Sequence, residues 1–177
     1  MGQIIAVEYL TLDGVFDDPA LTMPYFDEAV AAFQNEAMTW ADALLLGRVT
    51  YDGMSVAWPA AGNEPGTGGD IMNPIGKYVP TSTLTEPTWN ATFLTGDVVE
   101  AVTELKQGDE NLVIYGSGLL SETLRAAGLI DEYRLLICPL VKGEGRKLFS
   151  GAHPTGFEVA SVEAAPPGML LVKLTVA

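Results

Sequence analysis

A buried strand and a glycine-rich turn are encoded by the stretch Leu112-Val113-Ile114-Tyr115-Gly116-Ser117-Gly118-Leu119-Leu120. The apolar run Leu112–Tyr115 predicts the strand, and a helix is predicted to follow the turn as far as Ala127, where Gly128 ends it. Glycines allow a ligand to approach the backbone, and the first N–H groups of a helix attract phosphate. The turn therefore indicates a diphosphate site. The alternative is a tight turn without a ligand, because Ser121 stands where G-x-G-x-x-G has its last glycine.

The same arrangement occurs earlier in the chain. Ala43–Leu46 predicts a short buried strand, and a helix is predicted around Thr50–Ala57. The turn Gly47-Arg48-Val49-Thr50 between them combines a helix start with one of the few basic side chains, which is typical of phosphate sites. The alternative is that Arg48 only pairs with a surface carboxylate. Two such turns at the ends of strands favour a ligand site, since ligands of open α/β sheets bind there.

The remaining pattern predicts an α/β fold. Strands alternate with helices at first, whereas the last three strands follow one another, which predicts a mixed, mostly parallel central sheet flanked by helices, with an antiparallel C-terminal hairpin. We expect residues 1–177 to form a single domain. The other predicted elements are strands Ile4–Leu12, Lys77–Thr81, Tyr133–Val141, Glu158–Ala164 and Met169–Val176, a helix whose apolar face holds Phe26, Val30, Phe33 and Ala37, a helix from the cap Asp97 to Lys106, and a long loop from Pro59 to Gly76.

The charge balance excludes several classes of partner. The chain has 23 acidic and 9 basic residues, a formal net charge of −14. A field of this sign repels phosphate backbones and anionic lipids, so neither nucleic acid nor a membrane is expected as a partner. One cysteine, Cys138, and one histidine, His153, are too few for a cysteine- or histidine-built metal site. Without an apolar run long enough to span a membrane or a basic leader, we expect a soluble cytoplasmic protein.

Three further groups of residues are candidates for chemistry. The hydroxyls of Thr81-Ser82-Thr83 could bind a phosphate or could simply end a strand. One of the carboxylates near the first helix could donate a proton if burial raised its pKa, although most are expected to be ordinary surface acids. The glycine-rich run 142–149, with three basic residues, could close over an anion or form a solvated turn. The carboxylates concerned are Asp13, Asp17, Asp18, Asp27 and Glu28.

Taken together, these motifs resemble the dihydrofolate-reductase-like superfamily, and within it the RibD C-terminal family of riboflavin-biosynthesis reductases in its short stand-alone bacterial form. The resemblance covers nearly the whole chain, and the order and spacing of its parts are more specific than any single part. The segments that carry it are Leu10–Gly14, Tyr25–Asp27, Ala41–Tyr51, Lys77–Val79, Val113–Gly118 and Leu129–Leu135.

This resemblance implies NADPH as the hydride donor. In such proteins the segment matching Gly47–Thr50 contacts phosphates of the adenosine half, and the segment matching Thr81–Thr83 lies near the 2′-phosphate. The segment matching Gly116–Leu120 cradles the diphosphate, and the turn matching Asp13-Gly14 lies near the nicotinamide. The riboflavin reductases often carry a glutamate where this chain has Tyr115. Aligned on Phe33, the acid of dihydrofolate reductase falls at Ala29.

Two functions follow from these observations. The first is an NADPH-dependent reductase of a small heterocyclic or carbonyl-like compound, similar to 5-amino-6-(5-phosphoribosylamino)uracil reductase and dihydrofolate reductase, in which Glu28 or Asp27 delivers the proton. The second is a non-catalytic NADP(H)-binding sensor or regulator on the same fold, which the replacement of glutamate by Tyr115 favours. The dimeric state that the resemblance implies and the apolar C-terminal strands also predict a homodimer.

Overall fold

The computed structural model describes residues 1–151 and 153–177, and its strands form one sheet. In chain order the strands are β1 (Ile4–Thr11), β2 (Ala43–Leu45), β3 (Gly76–Pro80), β4 (Ala91–Leu94), β5 (Leu112–Tyr115), β6 (Glu132–Cys138), β7 (Phe157–Ala165) and β8 (Met169–Val176). They are arranged across the sheet as β4-β3-β2-β5-β1-β6-β8-β7. The first six are parallel to one another, and β8 pairs antiparallel with both β6 and β7. This confirms the predicted mixed sheet with an antiparallel C-terminal hairpin.

Helices cover both faces of the sheet, which explains why its inner strands are apolar on both sides. On one face, α1 (Glu28–Trp40), α2 (Arg48–Ala61) and the single turn α3 (Gly69–Met72) pack against the sheet. On the other face lie α4 (Val98–Gln107) and α5 (Gly118–Ala126). Alternate residues of β1 therefore belong to different cores: Ile5 and Val7 face α1, and Ile4 and Ala6 face α5.

The structure corrects several sequence-based boundaries. The helix predicted around Thr50–Ala57 begins at Arg48 and continues to Ala61, with Pro59 inside its last turn. Phe26, predicted on the face of the first helix, precedes α1, which begins after the capping residue Asp27, and is exposed. Strand β4 was not predicted, because it has only four residues and lies half-exposed at the sheet edge.

The predicted loop Pro59–Gly76 is more ordered than expected, because Asn73 joins its parts. The Asn73 Nδ2 donates to the backbone oxygens of Trp58 and Gly62, each at 3.1 Å, and its Oδ1 accepts from Trp89 Nε1 at 2.7 Å. One amide therefore links the end of α2 to the segment before β4. Within the loop, Gly69 and Met72 of α3 are buried, whereas residues 63–67 are exposed.

Lys77 lies beneath the same segment and is almost fully buried. Its Nζ donates to the Asn73 carbonyl at 3.1 Å and lies 3.9 Å from the centre of the Trp89 ring. Burial lowers the pKa of Lys77 to about 8 from its usual 10.5. Lys77 is thus a buried amine for which the described part of the chain provides one hydrogen-bond acceptor.

Between pH 8 and 10.5 the unfolded chain binds more protons at Lys77 than the folded chain does. The contribution of Lys77 to the free energy of unfolding is therefore expected to rise with pH in this window, by at most about 1.4 kcal/mol per pH unit. The Cys138 thiol, whose pKa burial raises, contributes with the opposite sign above pH 9 in every variant with this residue. Urea unfolding followed by circular dichroism at several pH values would measure the slope for each protein. Lys77→Met should make the slope less positive by the contribution of Lys77, whereas a change at the exposed Lys147, Lys147→Met, should leave it unchanged. Equal slopes in Lys77→Met and the unaltered protein would contradict the assignment.

Candidate functional site

The predicted ligand-binding segments lie at one edge of the sheet. Strands β3, β2, β5 and β1 are consecutive neighbours and parallel, so their carboxyl ends lie side by side. Each is followed by one of the predicted segments, and the structure therefore brings them to a single edge: Thr81–Thr83 after β3, Gly47–Thr50 after β2, Gly116–Leu120 after β5 and Asp13-Gly14 after β1. Ligands of open α/β sheets bind at such an edge.

Two helices begin at this edge without a side-chain cap. The N-cap residues Gly47 of α2 and Ser117 of α5 give no side-chain hydrogen bond to the helix. In contrast, Asp27 caps α1 and Asp97 caps α4 through their carboxylates. The first N–H groups of α2 and α5 are therefore free to bind an anion, and the helix dipoles favour one there.

Ser117 joins the two turns. Its Oγ accepts a hydrogen bond from the Gly47 N–H at 2.9 Å, across 70 residues of sequence. Ser117 has φ = +64°, a conformation that side-chain-bearing residues seldom adopt, and the preceding Gly116 has φ = +58°. The serine thus fixes the turns as one surface with two helix starts, a role that the sequence did not reveal.

Arg48 is exposed at the start of α2. Its Nη1 lies 2.7 Å from Asp52 Oδ2 one turn along the helix, so the surface pairing considered from the sequence is present. The side chain is nevertheless 47% exposed, and an exposed pair of this kind is weak. The guanidinium is therefore accessible to an anionic ligand at the edge.

The hydroxyls after β3 differ in their availability. Thr81 Oγ1 accepts from the N–H groups of Thr83 and Leu84, at 3.2 and 3.1 Å, and so stabilises its own turn. Ser82 and Thr83 are exposed. Of the three, the side chains of Ser82 and Thr83 are the accessible ones.

The Asp13 carboxylate connects the turn after β1 to the glycine-rich run 142–149. Its carboxylate accepts from the backbone N–H groups of Lys142 and Gly143, at 3.1 and 2.9 Å, and from Thr11 Oγ1 at 2.6 Å. These bonds, with that to Thr11 the largest contribution, lower the pKa of Asp13 to about 2. The adjoining Asp17 binds the N–H of Arg146 in the same way, at 2.9 Å. The glycine-rich run that could have been a free lid is therefore held against the turn after β1.

The two carboxylates predicted to deliver a proton lie at the start of α1. Asp27 Oδ1 accepts from the N–H of Val30 at 2.9 Å, which occupies it as a helix cap. Glu28 is exposed in the first turn. Among residues 1–151 and 153–177, neither carboxylate forms a hydrogen bond with the glycine turns, and their part in catalysis stays a prediction.

A polar cluster that the sequence did not reveal lies where β1 and β5 end, on the face covered by α1. The hydroxyls of Tyr9 and Tyr115 both donate to Gln34 Oε1, the latter at 3.0 Å. The two rings meet edge to face with their centres 6.4 Å apart. Tyr115 immediately precedes the glycine turn, so this cluster is part of the edge site. Its only signal in the sequence was Tyr115 itself.

On the opposite face of β1, Glu8 is buried in the core. It is 1% exposed, and its Oε1 has no hydrogen-bond partner. Burial raises the pKa of Glu8 well above 4.5, outweighing a hydrogen bond with Ser121 that lowers it. On the α1 face, burial raises the pKa of the Cys138 thiol to about 11, which makes it a poor nucleophile.

The sequence matches a known protein family over nearly its whole length. The family model of the RibD C-terminal domain matches residues 3–171. The chain belongs to the RibD C-terminal domain family. This family is a reductase domain, which supports an oxidoreductase as the general class of the protein.

A relative of this RibD C-terminal domain occurs in Bacillus subtilis. An uncharacterised protein of Bacillus subtilis (strain 168), YyaP, is 33% identical over 112 residues, which are 61% of this chain and 59% of that protein. The matched region thus spans less than two thirds of the length of this relative.

Two solved structures share the fold. A riboflavin biosynthesis protein from Shewanella sp. PV-4 has a TM-score of 0.77 at 19% identity, and the alignment covers 99% of each chain. Dihydrofolate reductase from Enterococcus faecalis, complexed with NADP(H), has a TM-score of 0.68 at 17% identity, covering 99% of this chain and 96% of that one. These likenesses confirm the dihydrofolate-reductase-like fold.

Two other features of this RibD C-terminal domain concern metals and membranes. Within residues 1–151 and 153–177, no three His, Cys, Asp or Glu side chains come together as a metal site. No helix in the same residues combines the length and apolar character needed to cross a membrane.

Proposed function

We propose that the protein is an NADPH-dependent reductase that transfers a hydride to a small heterocyclic or carbonyl-like compound. The observation that carries the proposal is the pair of uncapped helix starts, α2 and α5, held side by side by the bond between Gly47 and Ser117. A diphosphate fits two adjacent sets of free N–H groups. Membership of a reductase family and the NADP(H) complex of the dihydrofolate reductase with the same fold support this choice of ligand.

Each segment of the edge has a role in this proposal. The N–H groups of Gly118, Leu119 and Leu120 would hold the diphosphate, and Arg48 with the N–H groups of Val49 and Thr50 would hold phosphate of the adenosine half. The exposed Ser82 and Thr83 would lie near the 2′-phosphate, with Thr81 shaping their turn. Asp13 would act by holding the backbone beside Gly14 near the nicotinamide. Asp27 or Glu28 would deliver the proton, directly or through water.

When bound, NADPH would supply the hydride, and the protein would bind, orient and exclude water. The reaction then needs only a flat acceptor placed against the nicotinamide and a proton source beside it. We further propose that residues 1–177 act as a single domain and that the protein works in the cytoplasm.

NADPH at about a hundred times its Kd is expected to raise the Tm by about 5–11 °C. Such a ligand adds about 2.7 kcal/mol when it binds only the folded state, and each kcal/mol raises the Tm of a chain this long by about 2–4 °C. NADH at the same concentration should give a smaller rise, because it lacks the 2′-phosphate, and the difference should shrink as salt screens local charge. A dye-based melt measures both shifts. No shift from either cofactor would reject the proposed site.

A second function, NADP(H) binding without turnover, is favoured by one observation. The polar cluster beside the glycine turn consists of two phenols and an amide, and it contains no carboxylate. NADPH consumption against a panel of pterins, pyrimidines and quinones separates the two functions. Consumption supports the reductase, whereas tight NADPH binding with no consumption across the panel favours the sensor.

A homodimer is expected in solution. Strand β7 lies at the sheet edge, and Val159 and Val162 on it are 65% and 57% exposed. An unpaired edge with apolar side chains favours association with a second copy. Light scattering at micromolar concentration should give about twice 18.8 kDa. A mass near 18.8 kDa would contradict this prediction.

A further inference from the structure

We propose that Glu8 makes anion binding at the glycine turn depend on pH: the turn binds a diphosphate tightly while Glu8 carries a proton, and weakly once this proton is lost. The inference rests on the proposed function in one respect, because it takes the start of α5 as the place where the diphosphate of the cofactor binds. It goes further in assigning a control of that binding to a buried side chain of the core.

The first argument is the position of Glu8 beneath the turn. The carbonyl of its neighbour Val7 accepts a hydrogen bond from the Gly116 N–H at 2.9 Å. In α5, the Ser121 N–H donates to the Ser117 carbonyl at 3.0 Å, so Ser121 closes the first turn of the helix. The Ser121 hydroxyl is hydrogen-bonded to the carboxyl of Glu8. The carboxyl is therefore in contact with the helical turn whose first N–H groups are free to bind an anion.

The second argument is that the surroundings of Glu8 do not stabilise a negative charge. The side chain is 1% exposed, and its Oε1 has no hydrogen-bond partner among the described residues. Ala6 and Leu10, two residues away on the same face of β1, are buried and apolar, and the residues of β5 on this face, Leu112 and Ile114, are apolar as well. The ion pairs within residues 1–151 and 153–177 do not include Glu8. A carboxylate here would lose its hydration without gaining an opposite charge, so burial raises the pKa of Glu8 well above 4.5.

The titratable and charged groups around Glu8 leave it a neutral acid. On α5, the charge of Glu122 raises the pKa of Glu8 further, and this carboxylate is itself paired with Arg125, whose Nε lies 2.9 Å from its Oε1. On β6, burial raises the pKa of Tyr133, so its phenol is uncharged. The turn after β1 and the glycine-rich run 142–149 contribute apolar side chains to this core, and their charged side chains pair with one another.

The third argument is the linkage between two negative charges near one helix start. The dipole of α5 favours a negative charge near its N-terminus. A bound diphosphate uses this field and repels a second negative charge, so it makes the ionisation of Glu8 less favourable. An ionised Glu8 weakens diphosphate binding by the same factor, because the coupling of two equilibria is reciprocal. The affinity for a diphosphate should therefore fall as pH rises through the raised pKa of Glu8, and binding should be accompanied by proton uptake.

ADP-ribose is the probe that tests this coupling. Its diphosphate keeps one charge between about pH 5 and about pH 9, whereas the 2′-phosphate of NADPH loses a proton near pH 6. Isothermal titration calorimetry gives the Kd of ADP-ribose for the unaltered protein and for Glu8→Gln, in which an amide replaces the protonated acid. The ratio of the two Kd values, unaltered protein over Glu8→Gln, should rise from about one at pH 5 to about ten at pH 9. Other titrating groups affect both proteins and cancel in this ratio.

Proton uptake is a readout that a merely structural role of Glu8 would not change. Calorimetry in two buffers with different heats of ionisation measures the protons taken up when ADP-ribose binds. The unaltered protein should take up a fraction of a proton at a pH near the raised pKa of Glu8, and Glu8→Gln should take up less. Glu158→Gln, at an exposed position of β7, is the matched control and should behave as the unaltered protein does.

The outcomes separate this proposal from the proposed function. ADP-ribose binding with a ratio of Kd values that stays constant across the pH range, or with equal proton uptake by Glu8→Gln and the unaltered protein, would overturn the coupling and leave the cofactor site in place. If Glu8→Gln does not fold, binding to the unaltered protein without proton uptake at any pH would overturn the coupling. Absence of ADP-ribose binding at every pH would reject the cofactor site, and the coupling with it.

Discussion

NADPH is expected to bind Arg48→Ala about ten to a hundred times more weakly than it binds the unaltered protein. A hydrogen bond between a guanidinium and a phosphate contributes about 1.5–3 kcal/mol, which corresponds to this range. The Tm without cofactor should hardly change, because the bond lost on folding is an exposed pair with Asp52. Isothermal titration calorimetry gives the Kd, and a melt without ligand gives the stability.

Lys173→Ala is the matched control for this measurement. Lys173 is also a basic residue paired with a carboxylate, that of Glu36, but it lies opposite Arg134 near the start of β6, away from the glycine turns at the carboxyl ends of the parallel strands. Its removal makes the net charge more negative by the same one unit, so any general electrostatic effect on a polyanion is common to both variants. An unchanged Kd in Arg48→Ala, or equal losses in the two variants, would remove Arg48 from the site.

Glu8→Gln is expected to change the pH dependence of stability more than any other single substitution considered for this chain. The folded protein holds a proton on Glu8 at pH values where the unfolded chain, with an ordinary pKa of 4.5, has lost it. The folded state therefore binds more protons, and the free energy of unfolding falls as pH rises from about 4.5 toward the raised pKa, by about 1.4 kcal/mol per pH unit. Below pH 4.5 this stabilisation is fully present.

Glutamine has the same shape and no charge. The free energy of unfolding of Glu8→Gln should therefore not show this decrease with rising pH, and Glu8→Gln should be the more stable protein at neutral pH. Urea unfolding at half-unit steps from pH 4 to 8 measures the difference between the two proteins. Glu158→Gln, at an exposed position of β7, removes the same formal charge and should run parallel to the unaltered protein. Parallel curves for Glu8→Gln and the unaltered protein would show that the buried carboxyl does not titrate as argued.

Local sequence patterns were sufficient to predict most of the fold. The strands β1, β5 and β8 are mostly apolar runs between clear turns, and the helix beginning after Asp97 has its cap in the sequence. Features that depend on distant contacts were missed. Strand β4 is too short and exposed to show a pattern, and it forms because β3 lies beside it. The turn α3 forms within a glycine-rich segment that Asn73 ties to Trp58 and Trp89.

The candidate site likewise has parts that could be predicted from the sequence and parts that could not. Turns that bind phosphate through backbone N–H groups leave a local signature of glycines after a strand, so Gly47 and Gly116 could be found from the sequence alone. Side chains that meet through the fold leave none. Gln34 lies 81 residues from Tyr115, and a lone glutamine in a helix looks like any surface residue. Glu8 differs, because a glutamate inside the apolar run of β1 was visible but looked like an ordinary strand residue.

The pairing of β1 has a consequence for how the chain is made in the cell. Its neighbours β5 and β6 are both much later in the sequence, and its register with β6 ends with Thr11 beside Cys138, 127 residues further on. At about 5–20 residues per second, the ribosome needs roughly 6–25 s to add those residues. Until β5 has been made both edges of this apolar strand are unpaired, and until β6 has been made one edge stays unpaired. Chaperones that bind extended apolar segments would find their target in the newly made β1, and the sheet would close around this strand only after β6 has been synthesised.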